Sequence, residues 1–256
     1  MTLRKEYITD IKLGIVTDTL DMSGKVIATK RVGEIDSGRV LSILDKFKGR
    51  ISQVPPVYSS VKYKGKPSYI YARKGNLLNL KPKTVHIYDI GLVSFSGVLV
   101  TIKVNCSSGT YIRSLAYDIG NMLGVGASVS KLKRTRIGNY GLEDSIGIEN
   151  FLKRNFREGD LESNTFIVSL EKLLDRKGEV QVRDEFNSRI KNGAPIKGNM
   201  IKRPETIAND LFRFGCLLKV KDGNKNLLAV HRILSKDFFV DSIDYNLKLT
   251  ENIVIL

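Results

Sequence analysis

Two long runs of β-forming residues, separated by a short hinge, constrain the fold more than any other feature of this sequence. The runs extend over Lys83–Phe95 and Val98–Cys106, with Ser96-Gly97 between them. This pattern predicts a hairpin of antiparallel strands. Apolar and polar residues also alternate over Tyr7–Gly14 and Lys25–Val32, which indicates two further strands joined by the turn-rich segment TDTLDMSG. The chain is therefore predicted to build a mixed, largely antiparallel sheet.

Two helices are predicted from apolar residues at the spacing of three and four that an amphipathic helix requires. Ser37 is placed to cap the first helix, which Gly49 ends and which should cover one face of the sheet. Gly124 ends the second helix. The apolar stripes are Val40, Leu44 and Phe47, with Leu41 beside them, and then Ile112, Leu115, Ala116, Ile119 and Leu123. Helices flanking such a sheet predict an α+β fold.

The composition changes twice in the second half of the chain. Residues 150–160 are strongly charged, which is typical of a linker or a solvent-facing helix. After Gly178 the chain consists of short strand-like runs separated by Gly, Asn and Asp, a pattern that favours a small barrel or a compact sheet. We predict two domains, residues 1–177 and residues 178–256.

The charge balance favours a polyanionic partner. Lys and Arg number 42 and Asp and Glu 27, which gives a net charge of +15. Such an excess raises the local concentration of phosphates, so nucleic acid or an anionic membrane surface is the expected partner. No run reaches the roughly 18 apolar residues of a spanning helix, and no apolar core follows the charged start of the chain. We therefore expect a soluble, cytoplasmic protein.

The cysteines and histidines favour neither a metal site nor a disulfide framework. Cys106 and Cys216 are far apart, and His86 and His231 are also isolated from any further Cys or His at ligand spacing. Catalysis by a histidine base is likewise not indicated. We therefore expect no metal site.

Four motifs, taken together in their order and spacing, resemble those of a known family. They are KEY with LG and TDTLDMSG, then QVPPVYSSVKYKG with YARKG, then CSSGTYIRSLAYDIG, and finally GASVSKLKR. In these motifs the chain resembles the TruB family of tRNA pseudouridine synthases, most strongly up to Gly138. The segment NGAPIKG and the terminal strands resemble the small PUA-like RNA-binding module of that family. The resemblance implies isomerisation of the uridine at position 55 in the tRNA T loop, after that base is flipped out.

One family motif has no counterpart in the printed sequence. The resemblance implies a nucleophilic aspartate in a G-x-x-D-P motif, and none of the six prolines here follows an aspartate. We therefore interpret the chain as a family member without the amino-terminal segment that carries this aspartate. Without that segment, an unpaired sheet edge or an exposed apolar patch is expected near Tyr7–Gly14.

The resemblance assigns roles to two residues in the first quarter of the chain. Tyr7 matches the tyrosine that stacks on the flipped base, although a tyrosine in a half-buried strand commonly makes cross-strand contacts alone. Asp21 matches a member of a charged active-site network. Asp18 and Asp21 are also typical turn formers, whose side chains accept bonds from nearby backbone amides.

The resemblance also assigns three residues in the second half of the catalytic-type domain. Tyr111 is implied to close the uracil pocket, Arg113 to pair with the catalytic carboxylate, and Leu132 to line the pocket. From the residues alone, a helix start capped by Thr110 or a serine, with a solvent-facing Arg113, is the simpler interpretation, and Leu132 is then ordinary core. Arg113 is expected to lack its main partner here.

Two basic clusters are assigned to RNA backbone contacts, because tyrosines alternate with the lysines and the whole chain is basic. A charged cluster alone is usually a solvated face. The clusters consist of Lys62, Lys64, Lys66 and Arg73, and of Lys131, Lys133, Arg134 and Arg136.

The resemblance therefore predicts a monomer that binds the T-arm stem-loop of tRNA, with no metal, cofactor or membrane as partner. Two alternatives remain open. In the first, the chain is a non-catalytic tRNA-binding protein or tRNA-folding chaperone. In the second, it is a structural basic protein in which Tyr7, Asp21 and Arg113 do not converge.

Overall fold

A computed structural model describes residues 3–76, 78–153, 168, 173–174, 178–202, 217–233 and 250–255. The fold divides into two compact units, Met1–Lys153 and Arg154–Leu256. This division falls within the charged stretch at residues 150–160, while the domain bounds 1–177 and 178–256 stay a prediction. Each unit is described by itself.

The first unit contains ten strands and four α-helices among its described residues. The helices are α1 (Ser37–Asp45), α2 (Ser68–Ala72), α3 (Ile112–Met122) and α4 (Ile148–Leu152), and a 3₁₀ turn spans Leu142–Asp144. The strands are β1 (Lys5–Leu13), β2 (Ile15–Thr17), β3 (Val26–Thr29), β4 (Gly49–Gln53), β5 (Lys62–Tyr63), β6 (Lys66–Pro67), β7 (Lys83–Phe95), β8 (Leu99–Cys106), β9 (Ala127–Ile137) and β10 (Tyr140–Gly141).

Six of these strands form the main sheet, in the order β10-β9-β1-β8-β7-β4. The predicted α+β fold class and the β7–β8 hairpin are confirmed. Every strand pair in the main sheet is antiparallel, so this sheet is less mixed than predicted. The predicted unpaired edge near Tyr7–Gly14 is wrong, because β1 lies inside the sheet and pairs with both β8 and β9.

The run Lys25–Val32 does not pair with β1, as a simple hairpin would require. Its strand β3 pairs with β2 in a separate two-stranded sheet. Gly14 separates β1 from β2 at a φ of +79°, where the Cβ of another residue would lie 2.6 Å from the Lys30 carbonyl oxygen. This reversal is therefore restricted to glycine, and the TDTLDMSG turn joins β2 to β3.

The two longer helices pack against one face of the main sheet. Their predicted stripes are buried and form one core with residues of β1, β7 and β8. Leu41, placed beside the first stripe, is instead exposed. The cap of α1 also differs from the predicted Ser37: the side chain of Asp36 accepts a hydrogen bond of 2.8 Å from the backbone N–H of Arg39.

The second unit contains a four-stranded sheet in the order β11-β12-β13-β14, in which the first pair is parallel and the others are antiparallel. Its strands are β11 (Gly178–Gln181), β12 (Leu217–Lys221), β13 (Leu227–Ile233) and β14 (Thr250–Ile255), and a helix α5 spans Asn187–Lys191. This confirms the predicted small β-rich unit. In the NGAPIKG segment, Ile196 is fully buried in the core of this unit.

The carboxyl end of α3 is stabilised by two cations. Arg39 Nη2 donates to the Leu123 carbonyl oxygen at 3.3 Å, and Lys30 Nζ donates to the Gly124 carbonyl oxygen at 2.6 Å. These contacts satisfy carbonyls at the negative end of the helix dipole. Asp118 lies in the same half of α3, and burial raises the pKa of its carboxyl to about 6. Its ionised form is therefore unfavourable in the folded chain.

Replacing Asp118 by Asn is expected to stabilise the protein at neutral pH. The pKa of the Asp118 carboxyl rises from 3.8 to about 6 on folding. Ionisation of this group therefore lowers the free energy of unfolding, with full effect above about pH 6 and no effect below about pH 3.8. We expect Asp118→Asn to raise the free energy of unfolding by about 1–3 kcal/mol at about pH 7.5, and by far less at about pH 3.5. Urea denaturation followed by circular dichroism measures both values. The exposed Asp89→Asn is the matched control, and an equal gain at both pH values contradicts the prediction.

Candidate active site

The turn between β2 and β3 holds Asp21 through its own neighbours. Oδ1 of Asp21 accepts hydrogen bonds from the Ser23 backbone N–H at 3.0 Å, from the Thr19 hydroxyl at 2.9 Å and from the Ser23 hydroxyl. Asp18 has the turn role expected of it, because its Oδ1 accepts from the Lys25 backbone N–H at 2.8 Å. One oxygen of Asp21 is therefore committed to the turn.

This turn is fixed to the main sheet at one point of β9. Leu20 adopts a left-handed φ of +61°, a conformation that is costly for a branched side chain. Its carbonyl oxygen accepts from the Val129 N–H at 3.0 Å, and the Met22 N–H donates to the Val129 carbonyl oxygen at 2.9 Å. The paired backbone offsets the strain and sets the position of Asp21 against the sheet.

Arg113 joins three separate segments. Nη1 donates to the Thr19 carbonyl oxygen at 2.8 Å and to Oδ2 of Asp21 at 3.1 Å, while Nη2 donates to the Tyr58 carbonyl oxygen at 2.8 Å. The side chain of Arg113 is 23% exposed, so the simpler interpretation of a solvent-facing arginine is wrong. Asp21 is the ion-pair partner of Arg113 among the described residues, while the expectation that Arg113 lacks the catalytic carboxylate stays a prediction. Asp21 thus forms the turn through one oxygen and the ion pair through the other.

The Asp21 carboxyl is ionised at neutral pH. Burial raises its pKa, but hydrogen bonds from Ser23 and Thr19 and the charge of Arg113 lower it further, so that the pKa lies below its ordinary value of 3.8. The Asp21–Arg113 ion pair therefore persists throughout the neutral range.

Gln53 determines the position of Tyr111. Tyr111 is the N-cap residue of α3, and its own side chain makes no capping bond. Instead, Oε1 of Gln53 accepts from the Tyr111 N–H at 2.8 Å, and Nε2 of Gln53 donates to the Tyr111 carbonyl oxygen at 3.1 Å. Thr110 does not make the expected capping bond at this helix start, because its hydroxyl donates to the Ser107 carbonyl oxygen instead. Gln53, at 2% exposure, is a site residue that the sequence patterns did not reveal.

A cleft of about 640 Å³ opens beside Tyr111. Tyr63 also lines it, together with four lysines: Lys62, Lys64, Lys81 and Lys83. The β5–β6 hairpin supplies the first two lysines, and the Lys64 ammonium lies 5.8 Å from the centroid of the Tyr63 ring. Lys66 and Arg73 of that predicted cluster do not line the cleft. Arg73 stacks over Tyr69, with 5.3 Å between its guanidinium carbon and the ring centroid. The cleft is suited to an anionic ligand.

Tyr7 and Leu132 lie on the same face of adjacent strands. In the β1–β9 register Tyr7 is opposite Arg134, and Thr9 is opposite Leu132. Tyr7 is half-buried and packs against the core, while Leu132 is 47% exposed and so is not an ordinary core residue. The structure brings Asp21 and Arg113 together, and Tyr111 precedes Arg113 by two residues in the chain. Among the described residues, no hydrogen bond or ion pair joins Tyr7 to them.

The basic cluster on β9 is divided between the two faces of the sheet. Arg134 lies on the face of Tyr7, whereas Lys131 and Lys133 are opposite Asp10 and Ile8 and therefore lie on the other face. Arg136 forms an ion pair of 2.7 Å with Glu143. Sequence proximity alone grouped side chains that the strand separates.

Within the described ranges, no three His, Cys, Asp or Glu side chains lie close enough to share a metal ion.

Two family descriptions match adjacent parts of the sequence. Residues 1–112 match the model of the TruB family pseudouridylate synthase N-terminal domain, and residues 113–175 match that of the tRNA pseudouridylate synthase B C-terminal domain. The tRNA pseudouridine synthase B of Clostridium tetani is 38% identical over 232 residues, which cover 88% of this chain and 78% of that protein. The protein of the same name from Thermotoga maritima is 34% identical, over 94% of this chain and 74% of that protein.

Solved structures share the fold. A chain described as "Crystal Structure of a Cbf5-Nop10-Gar1 Complex" is 22% identical, with a TM-score of 0.66, and the match covers 98% of this chain and 66% of that one. A chain described as "Crystal structure of the archaeal box H/ACA sRNP Nop10-Cbf5 complex" has the same TM-score of 0.66 at 18% identity. At these identities the likeness concerns the fold alone.

Gln53→Leu is expected to destabilise the helix start that carries the site. Leucine removes both hydrogen bonds to Tyr111 and leaves a buried N–H without an acceptor, so we expect the free energy of unfolding to fall by about 1–3 kcal/mol. Ser52→Ala on the same strand is the control, since Ser52 is exposed, and its loss should be smaller. Chemical denaturation measures both variants. Equal stability of the leucine variant and the unaltered chain contradicts the proposed role of Gln53.

Proposed function

The chain belongs to the TruB family of pseudouridylate synthases, and from that premise we propose that it acts on tRNA by binding the T arm and receiving the uridine at position 55 beside Tyr111 and Arg113. The reaction breaks the N-glycosidic bond, turns the uracil in place and joins its carbon to the same sugar carbon. It needs an aromatic surface, an ionised carboxylate and exclusion of water.

The observation that carries this proposal is the position of Arg113. Its guanidinium holds the Asp21 turn and the loop at Tyr58 together, and Arg113 follows Tyr111, which lines the lysine-lined cleft, by two residues. Guanidinium groups form directional, charge-assisted bonds, which makes the arrangement well defined. The alternative of a structural basic protein requires Tyr7, Asp21 and Arg113 to lie apart, and the Asp21–Arg113 ion pair speaks against it for two of these three residues.

Asp21 is proposed to orient Arg113 rather than to attack the sugar. The three bonds of Arg113 occupy both Nη1 hydrogens and one Nη2 hydrogen. Within the described contacts, Nε–H and the second Nη2 hydrogen remain for another carboxylate. The family's catalytic aspartate fits that position, and pairing with Arg113 would keep it ionised.

Tyr7, Tyr111 and Leu132 are proposed to enclose the extruded base. Flipping a base costs a few kcal/mol, and stacking on one aromatic ring returns about 1–3 kcal/mol. Tyr7 alone therefore offsets much of the cost. Lys62 and Lys64 in the cleft, with Arg73 and Arg134 on the surrounding surface, are proposed to contact the RNA backbone, because the shape of a stem-loop is read mainly through its backbone.

Several further features belong to the same proposal. The protein is a cytoplasmic monomer, and the second unit is a PUA-like module that adds RNA contacts. No helix in the described part of the chain is long and apolar enough to cross a membrane.

The first test is binding of a labelled T-arm stem-loop, with an anticodon-arm stem-loop as control. We expect at least a tenfold preference for the T arm, and equal affinities contradict the proposal.

Tritium release from labelled uridine then measures the chemical step. We expect this polypeptide to bind without isomerising, because no G-x-x-D-P aspartate is among its 256 residues. Isomerisation by the purified chain contradicts that expectation, and Asp21→Asn then tests Asp21 as the nucleophile.

The second test concerns stacking on Tyr7. Tyr7→Ala removes the ring, and we expect T-arm affinity to fall about tenfold, within the range for loss of one stacked base. Tyr7→Phe keeps the ring and should retain affinity. Thermal unfolding monitors folding of both variants, since Tyr7 also packs against the core. Equal losses in the two variants mean that the hydroxyl, rather than the ring, is responsible.

A further inference from the structure

The main sheet has a second face, which the proposed pocket does not use. Helices α1 and α3 pack with the core residues on the face that carries Tyr7 and Ile11. The alternate residues of β1 project to the opposite side. We call this side the outer face. Its exposed side chains include Arg4, Tyr88, Lys103, Lys131 and Lys133.

Lysines surround the centre of the outer face. Ile8 of β1 lies in register between Lys103 of β8 and Lys133 of β9. Asp10, two residues after Ile8 on β1, is opposite Lys131 of β9. Because neighbouring strands are about 5 Å apart, these three ammonium groups can reach one extended ligand.

The carboxylates of this face have partners of their own. Glu6 accepts from the Thr135 hydroxyl at 2.7 Å and forms an ion pair of 3.1 Å with Lys103, and Asp10 accepts from the Thr101 hydroxyl at 2.7 Å. Lys131 and Lys133 form no ion pair within the described part of the chain. Their charge is therefore available to an external anion.

A guanidinium and two rings lie at one end of the same face. The guanidinium carbon of Arg4 is 3.9 Å from the centroid of the Tyr88 ring, and the centroid of the His86 ring is 4.5 Å from that of Tyr88. Tyr88 is 39% exposed although it is a large aromatic residue. Aromatic rings and guanidinium planes are the groups on which unpaired RNA bases stack.

The surface between these two groups is open. Gly91 is opposite Lys103 in the β7–β8 register, and a Cβ placed there would meet no atom within 4 Å. An extended RNA strand can therefore lie across β7 and β8 at Gly91, where no side chain obstructs it.

We propose that the outer face is a second RNA-binding surface, which holds an unpaired RNA strand with phosphates at Lys131 and Lys133 and a base against Tyr88. Unpaired lysines beside an exposed aromatic stack match the two chemical features of single-stranded RNA, its charge and its base planes. The simpler interpretation is that the outer face is the solvated face that many antiparallel sheets have, and in that case it would bind no RNA. The surface does not depend on the pocket proposed above.

The β9 strand makes a sharp test possible. Lys133 and Arg134 are neighbours with the same charge, and the strand directs them to opposite faces. Replacing either by glutamine changes the net charge equally. Only their location on the two faces distinguishes the variants.

The experiment uses the full chain and two RNA probes, a T-arm stem-loop and a labelled short oligouridylate. Oligouridylate binding is measured by fluorescence anisotropy with the stem-loop absent and then saturating. We expect oligouridylate to bind in both conditions, since the two surfaces are separate. Complete displacement by the stem-loop overturns the proposal. Failure of the stem-loop to bind concerns the pocket alone, because the oligouridylate measurement on the free chain remains valid.

Lysine variants then locate the binding surface. We expect Lys133→Gln to weaken oligouridylate binding and to reduce its log–log salt slope by about 0.7, the value for one phosphate contact on a single strand, and Lys131→Gln added to it to bring the reduction to about 1.4. Lys133→Gln should leave stem-loop affinity within about twofold. Arg134→Gln should show the opposite pattern. Equal effects of the two replacements on both probes overturn the assignment to separate faces.

Tyr88 supplies an independent readout. Tyr88→Leu should weaken oligouridylate binding about tenfold, within the range for loss of one stacked base, whereas Tyr88→Phe should retain it. Circular dichroism confirms that both variants are folded. Unchanged binding by the leucine variant overturns the stacking role.

Discussion

The ion pair between Asp21 and Arg113 is the interaction on which the candidate site depends. The two side chains are 3.1 Å apart, and each is about a quarter exposed. A partly buried carboxylate is unfavourable alone, and the turn bonds and the guanidinium together keep it ionised. Because Arg113 also binds the backbone at Thr19 and Tyr58, one side chain positions both the turn and the loop around the start of α3.

The second organising feature is the alternation of side chains along antiparallel strands. β9 directs Leu132 and Arg134 towards the face of the proposed pocket, and Lys131 and Lys133 towards the other face. A single basic segment can therefore serve two surfaces with different ligands. Helices cover one side of the sheet, and basic side chains lie on both sides.

Local patterns in the sequence revealed most of the fold. The hinge at Ser96-Gly97 and the stripe on α3 were correctly interpreted, because turn formation and amphipathic spacing depend on neighbouring residues. The position of β1 within the sheet was not, since strand order depends on pairing between distant segments. Gln53 was missed for the same reason, because nothing near it in the chain indicates its bonds to Tyr111.

The sequence by itself determined the β7–β8 hairpin, the apolar stripes of the two longer helices, the basic charge and the family motifs. Only the tertiary structure decided that Asp21 meets Arg113, at a separation of 92 residues, and that Gln53 meets Tyr111, at a separation of 58. It also decided which lysines share a face with the pocket. The physical reason is that periodicity is a property of one segment, whereas an ion pair or a shared face requires the topology that brings two segments together.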